Sequence, residues 1–423
     1  MTFRLYIDPA DTMIFRDGRP FNQDDAGRAS AASLFPPPPV ALYGAARVAI
    51  ARALGWDGIG DWTKNENISN VVGSWRDPKG FRIAGPFFQL TTRSTRGGPP
   101  ASVKDLLPIP ANVVASVDTK KDKEKQEVWH EHIKKIKVLV PTKERIATDL
   151  DDVRLLDPGE QGDGHKDEPL STRWALRDVV ERLLRTGERP TAEELAGPEH
   201  DDWRKLPKQR LPGWGAGDLA DEEQRVGIER DTGTRLVEEG MLYVSTRRRL
   251  RPNVRLYVDV EVEGMAADME AQIRNALSFA LLGGESRFAF LDSEHDVGST
   301  GSAASSAGPA GPPLPLTRKT YIVYFTTPVV MPPPQPNKPV QERERQKKLP
   351  GILVSAAFTA PYAQPGLQNE KANHVSASTT VLPAGTVFFM RNGQGAEVPA
   401  SGRLGEATHM GYGRYLTGVW NDG

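Results

Sequence analysis

Three loops place the residue types that handle phosphate beside glycine. Arg16, Arg19 and Arg28 surround an Asp17-Gly18 turn, Arg287 follows Gly283-Gly284, and Arg414 follows Gly411-Tyr412-Gly413. A guanidinium engages phosphate bidentately and glycine leaves backbone N–H groups reachable, so each loop carries the ingredients of a single-stranded RNA contact. Each has an equally plain structural reading. Asp17, Asp24 and Asp25 are placed to form ion pairs, Gly283-Gly284 is a helix stop, and Tyr412 and Tyr415 suit a hairpin packed inward. At the level of residues both readings stay open. The tract Arg247-Arg248-Arg249-Leu250-Arg251 is the most basic patch, and strand alternation lets at most half of it face one ligand.

Acid–base candidates are the 7 histidines. His409 precedes Gly411-Tyr412-Gly413-Arg414, where an imidazole could stand beside a phosphate and activate a ribose hydroxyl. His130-x-His132 has a metal-like look, but on a helix the two positions diverge and no third ligand has suitable spacing. No metal and no cofactor are expected. The chain has 0 cysteines, which excludes disulfides, thiolate metal sites and a cysteine nucleophile. No Gly-x-Ser-x-Gly elbow, Walker loop or dinucleotide fingerprint occurs, so hydrolase and nucleotide-hydrolysing chemistry is not expected.

These residues must be carried by a chain of 423, long enough for two domains or one domain with large insertions. The formal charge of -1 hides an asymmetry: from Thr317 onward 11 basic residues stand against 6 acidic ones, so an anion-binding surface has to be local. The 40 glycines and 35 prolines imply long irregular connections between elements. No run is apolar enough to span a membrane. Arg4, Asp8 and Asp11 interrupt what would be a signal peptide, which points to the cytoplasm.

Alternation predicts a first strand over Phe3–Ile7, and helical spacing predicts a helix from Val40 to Leu54 behind a run of four prolines. Residues 56–240 read as one long insertion, with a helix through Trp174–Leu184 behind Ser171, and a capping box at Thr191 and Glu194. Two alternating runs, Leu242–Leu250 and Arg255–Val262, predict a half-buried antiparallel hairpin. A helix from Met265 to Leu281 and a short strand Phe288–Leu291 follow. The order β, α, insertion, β, β, α, β is ferredoxin-like. This gives an α+β protein with a first domain over 1–295 and a Gly/Ser/Pro linker over 296–316. A second small α+β domain follows over 317–423, with strands at 320–326, 352–358 and 386–390.

Taken in order, the loops resemble a known family. Phe15-Arg16-Asp17-Gly18-Arg19-Pro20-Phe21, then Leu34-Phe35-Pro36-Pro37-Pro38 running into Tyr43-Gly44-Ala45-Ala46-Arg47, resembles the third subunit of Cmr complexes. These are the RAMP-superfamily proteins of type III-B CRISPR systems. Arg225-Val226-Gly227-Ile228-Glu229-Arg230 with Thr232 and Thr234, Glu239-Gly240-Met241-Leu242-Tyr243, Leu282-Gly283-Gly284-Glu285-Ser286-Arg287, Pro383-Ala384-Gly385-Thr386-Val387-Phe388-Phe389 and Gly411-Tyr412-Gly413 continue the series collinearly.

The resemblance implies two ferredoxin-like (RRM-like) domains, with large insertions in the first. It implies a noncatalytic subunit that holds the repeat-derived 5′ tag of the CRISPR RNA in antiviral defence. Contacts to the large polymerase/cyclase-like subunit and the backbone RAMP subunit are implied with it. The RNA-binding residues expected on this basis are Arg16, Arg19, Arg28, Arg47, Arg230, Arg235, Gly283, Gly284, Arg287, Gly411, Tyr412, Gly413 and Arg414. Two alternatives stand beside it: a RAMP endoribonuclease that processes repeat RNA through His409, and a protein-bridging subunit that does not touch RNA.

Overall fold

Thr2–Pro9 becomes a central strand because Phe3, Leu5 and Ile7 share one buried face and Pro9 cannot continue the ladder. The computed structural model describes residues 2–16, 29–31, 33–74, 77–93, 100–121, 128–143, 154–157, 166–196, 211–230, 233–234, 237–264, 267–293, 319–331, 349–364, 379–392 and 397–420. Thr2–Pro9 pairs antiparallel with Val254–Glu261 on one side and Phe288–Asp292 on the other, and Arg82–Arg93 adds beyond Val254–Glu261. Pro100–Pro108, Arg173–Leu176 and Trp214–Gly215 extend that edge, and Phe279–Leu281 forms the opposite edge, giving 8 strands. Helices Pro39–Ala53 and Ala267–Ala276 pack against each other beside the sheet. Pro39 suits a first helical position, where its missing N–H has no intrahelical partner to lose.

The expected hairpin between Leu242–Leu250 and Arg255–Val262 does not form. Val237–Leu250 pairs instead with Ala220–Arg230, setting Asp221, Glu222 and Glu223 directly opposite Arg249, Arg248 and Arg247. Of these facing pairs Glu222–Arg248 is an ion pair, and Glu223 and Asp221 reach diagonally to Arg249 and Arg251, so opposite charges match along this register. The chain then turns a corner at Arg251-Pro252-Asn253 into the large sheet. The strand that takes the expected place beside Val254–Glu261 is Arg82–Arg93, inside the segment read as an insertion. Gly85-Pro86 interrupts its alternation, and the structure absorbs both at a bulge where the partner register shifts between Tyr257 and Asp259.

Two helix expectations shorten. Arg173–Leu176 is a strand, and the helix is Arg177–Thr186, closed by Gly187 in the left-handed region; Leu176, not Ser171, precedes it. The helix expected to reach Leu281 stops at Ala276, and Phe279–Leu281 is an edge strand. The capping box holds: Thr191 N–H donates to Glu194 Oε2 at 2.8 Å and Glu194 N–H to Thr191 Oγ1 at 3.2 Å. His130 and His132 fall on the strand Val128–Val138 rather than on a helix.

The C-terminal strands run in the order Ile352–Ala357, Val387–Arg391, Thr320–Phe325, Arg414–Val419, Ser401–Arg403. One face buries Tyr321, Val323 and Phe325; on the other, Ile322, Tyr324 and Phe389 join the main core. Helix Arg177–Thr186 lies against Arg414–Val419. Among the described residues after 317 there is no α-helix, and the expected linker 296–316 lies outside the described residues. The two sheets are joined by polar bonds. Tyr324 Oη donates to the Pro108 carbonyl at 2.5 Å, and Glu261 accepts from Arg403 at 2.8 Å and Arg414 at 3.3 Å.

Beneath that junction lies a layer of charge. Arg4 bonds Asp105 through two 3.1 Å contacts, meets Asp259 at 3.5 Å and covers the Tyr257 ring at 3.9 Å. Arg177 approaches Asp105 at 3.5 Å and donates to Tyr257 Oη at 3.3 Å. Burial opposes ionisation of Asp105, but Arg4 and Arg177 outweigh it and hold the carboxyl below its ordinary range. For Asp259 burial dominates and the carboxyl is raised despite Arg4.

Candidate nucleic-acid interface

Asp11 collects three arginines from three distant parts of the chain. Arg225 reaches its Oδ2 at 3.2 Å, Arg249 its Oδ1 at 2.6 Å and Arg287 its Oδ2 at 2.5 Å. Beside them Arg247 donates to Glu285 at 2.5 Å, Arg249 also bonds Glu223, and Arg251 meets Asp221 at 2.9 Å. The geometry follows from strand alternation. Arg247 and Arg249 stand opposite Glu223 and Asp221 on one face of the paired strands, while Arg248 turns to the other face and takes Glu222 at 2.7 Å. Arg247, Arg249 and Arg251 thus share one face, three of the tract's four arginines and more than the half expected, because both ends of the tract fall on that face.

Two connections bring Asp11 and Arg287 to that face. Met13 exchanges backbone hydrogen bonds with Arg248, and Gly284 N–H donates to the Ile14 carbonyl at 2.9 Å. Gly283 has φ +79, and a Cβ there would stand 2.4 Å from the Ile14 carbonyl oxygen, so this loop can lie on the chain after the first strand only with glycine. Glu285 and Ser286 follow at φ 58 and 51, a left-handed conformation that surrounding contacts must hold.

The hydrogen bond from Arg249, and after it that from Arg287, hold the Asp11 carboxyl at about 2. The same Arg249 bond lowers Glu223, and the two carboxylates raise Arg249 further. Asp11, Arg225 and Arg249 are each more than a third exposed in their side chains. Chemically the cluster is a set of guanidiniums around one monoanionic oxygen pair, the arrangement a phosphodiester would also satisfy.

The expected site residues divide sharply. Gly283, Gly284 and Arg287 belong to this cluster, and Arg16, exposed, bridges Ser33 on the same connection. Arg19, Arg28 and Arg235 lie outside the described residues, and Arg230 ends the strand Ala220–Arg230. Arg47 is corrected to a structural role. It is 3% exposed, donates to the carbonyls of Val72 and Gly73 at 2.9 Å each, and so closes the C-terminus of helix Glu66–Val72.

Gly411, Tyr412, Gly413 and Arg414 are corrected likewise. Tyr412 is 0% exposed and donates to Gln364 at 2.8 Å, so its ring is not available to stack on a base. Gly413 has φ +70 and a Cβ would meet the Leu404 carbonyl at 1.8 Å; Gly411 has φ +101 against Gly85 and Pro39. Arg414 is buried on Glu261. This motif is the inward-packed hairpin of the structural reading. His409 sets its ring edge-on to Tyr43 at 5.5 Å. Sequence reading missed Asp11, Arg225, Arg247 and Arg249 as one group; the matching of Asp221–Glu223 to Arg247–Arg249 was the signal that could have found the strand pair carrying them.

Fold and cluster together define a sheet-rich α/β protein with a local arginine-lined face on a near-neutral chain. The family described as CRISPR-associated protein (Cas_Cmr3) matches residues 5–420. The chain belongs to that family. No curated protein matches it. Among solved structures, a chain of the Type III-B Cmr-beta bound to cognate target RNA and AMPPnP is 14% identical, with 91% of this chain and 86% of that chain covered and a TM-score of 0.40. A second Cmr-beta structure, bound to cognate target RNA, is 15% identical over the same shares with a TM-score of 0.41. A chain of the Csm3-Csm4 subcomplex of the type III-A interference complex is 10% identical, covers 100% of both chains, and has a TM-score of 0.38.

Proposed function

We propose that this chain is the third subunit of a type III-B Cmr effector, a noncatalytic scaffold that holds the 5′ repeat-derived tag of the CRISPR RNA. On this reading it adjoins the large polymerase/cyclase-like subunit and the backbone RAMP subunit in the cytoplasm. The observation that carries the RNA reading is the convergence of Arg225, Arg249 and Arg287 on Asp11. Asp11 occupies the position a phosphate would take, and RNA displaces it, converting a closed ion-pair network into a phosphate contact. The strand orders 288–292, 2–9, 254–261, 82–93 and 352–357, 387–391, 320–325, 414–419 support reading both halves as ferredoxin-like, with the second half borrowing helix Arg177–Thr186 from the first.

The test is the salt dependence of binding of a single-stranded tag RNA to the full chain. Replacing Arg225, Arg249 and Arg287 singly with Gln lowers the slope of log affinity against log salt by about 0.7 for each lost phosphate contact. Unchanged slopes in all three would overturn the placement.

A further inference from the structure

The terminal strand of the eight-stranded sheet presents an apolar edge. Natural edge strands are kept very short, carry charge or proline, or lie under a covering element. Phe279–Leu281 is the terminal strand; at 3 residues it is short, but it carries no charge or proline, and among the described residues no strand pairs with its outer edge. Its register pairs Phe279 with Phe290 and Leu281 with Phe288, so all four side chains stand on one face, between 44 and 64% exposed. Their rings pack chiefly on one another, Phe279 on Phe288 at 6.3 Å and Phe288 on Phe290 at 5.7 Å, with Arg52 over Phe279 at 5.0 Å. Ala280, Ala289 and Leu291 already fill the opposite, buried face.

The backbone of this strand also points outward. Leu282 N–H bonds the Arg287 carbonyl and Leu291 N–H bonds the Ser278 carbonyl, each at 2.8 Å. In an antiparallel ladder hydrogen-bonded pairs alternate, so Ala280 faces Ala289 as the next bonded pair. The N–H and C=O groups of Phe279 and Leu281 are therefore directed away from the sheet.

Charge selects among occupants. Asp8 stands directly opposite Phe290, and Asp292 lies two positions along from it on the same face; both are exposed. Among the described residues neither carboxylate has an ion-pair partner. The arginines of this face lie on rings, Arg255 over Tyr6 at 3.5 Å and Arg52 over Phe279, so the charges it leaves without an ion pair are the two carboxylates, which attract basic side chains.

We infer that this edge docks a protein: a β-strand of a partner subunit with apolar side chains flanked by lysine or arginine, which adds beside Phe279–Leu281 and covers the aromatic face. The inference is independent of the RNA reading, because it uses different residues and a different face of the ladder.

The test uses the assembled complex purified from its host through this chain. Leu281→Pro removes an outward N–H without touching the internal ladder, and Phe290→Lys opposes the basic border. Each weakens retention of one protein subunit about tenfold or more, with the melting temperature and the RNA salt slope of the chain unchanged. A photo-crosslinker at position 281 then maps to an apolar, basically flanked strand of that subunit. Full retention in both variants overturns the inference. So does a crosslink to RNA, to a second copy, or to the chain's own segment after Ser293.

Discussion

Asp11 and Arg287 touch at 2.5 Å, tying the turn after the first strand to the loop before its neighbour in the sheet. That one carboxylate also holds Arg225 and Arg249, so neutralising it releases three guanidiniums at once. Asp11→Asn is expected to bind single-stranded RNA more tightly and to raise the salt slope by about 0.7 for each additional phosphate the freed arginines neutralise. A filter-binding titration across salt concentrations measures this. A variant that binds RNA more weakly would mean that Asp11 organises the arginines instead of occupying their ligand's place.

The same ion pairs set a pH dependence. The folded Asp11 carboxyl is depressed from 3.8 to about 2, chiefly by the Arg249 hydrogen bond. A depressed carboxyl stabilises the folded state above its unfolded value, and that contribution is lost as pH falls from about 4 through 2. Wild type is thus expected to be more stable than Asp11→Asn at neutral pH, with the two melting curves converging as pH falls through this window. A difference that persists at low pH would assign the effect to something other than ionisation.

Arg47 separates fold from function. Arg47→Met keeps an apolar stem but removes the guanidinium that lies over Tyr43 and Trp62 and the bonds that close helix Glu66–Val72. The Val72 carbonyl loses its charged donor while that of Gly73 keeps Trp62 Nε1–H, a cost of about 1–3 kcal/mol. Chemical denaturation should report that loss while the RNA salt slope stays at the wild-type value.

How much of this was legible depends on what each residue's neighbours in sequence reveal. Thr2–Pro9 and Pro39–Ala53 announce themselves through period and punctuation. Arg82–Arg93 does not, because Gly85-Pro86 breaks its alternation and only the bulge opposite Tyr257 and Asp259 makes the pair acceptable in a strand. Leu242–Leu250 was visible as a strand, but its partner was not: proximity in sequence favoured 255–262, whereas charge matching to Asp221–Glu223 decided the pairing. Arg287 was legible as a cation beside glycines. Arg414 had the same signature, yet it is buried on Glu261, because the glycines around Tyr412 answer to Leu404 and Gly85 and not to a ligand. Glycine beside arginine reports a tight backbone approach; what approaches is a tertiary fact.

Tyr412 tests that distinction directly. Its hydroxyl is buried and bonded to Gln364, so Tyr412→Phe leaves an amide oxygen without its donor and costs about 1–3 kcal/mol. RNA affinity at fixed salt should not change, since the ring never reaches solvent.

The buried charge layer makes the strongest claim about stability. Asp105 accepts from Arg4 and Gln89 and pairs with Arg177 at 3.5 Å, and each of these comes from a different element of the large sheet or its packed helix. Asp105→Asn leaves two guanidiniums without their shared carboxylate, offset by the raised, buried Asp259 beside Arg4 and by Glu181 at 4.0 Å from Arg177. Removing one partner of such a group costs roughly 3–5 kcal/mol, because the desolvated charges remain. Arg4 also covers Tyr257, so the loss spreads to the strand Val254–Glu261, whose Glu261 anchors Arg403 and Arg414 of the C-terminal sheet. Hydrogen exchange in Asp105→Asn is therefore expected to lose protection in both sheets together. Loss confined to Pro100–Pro108 would show that the charge layer does not couple the two halves.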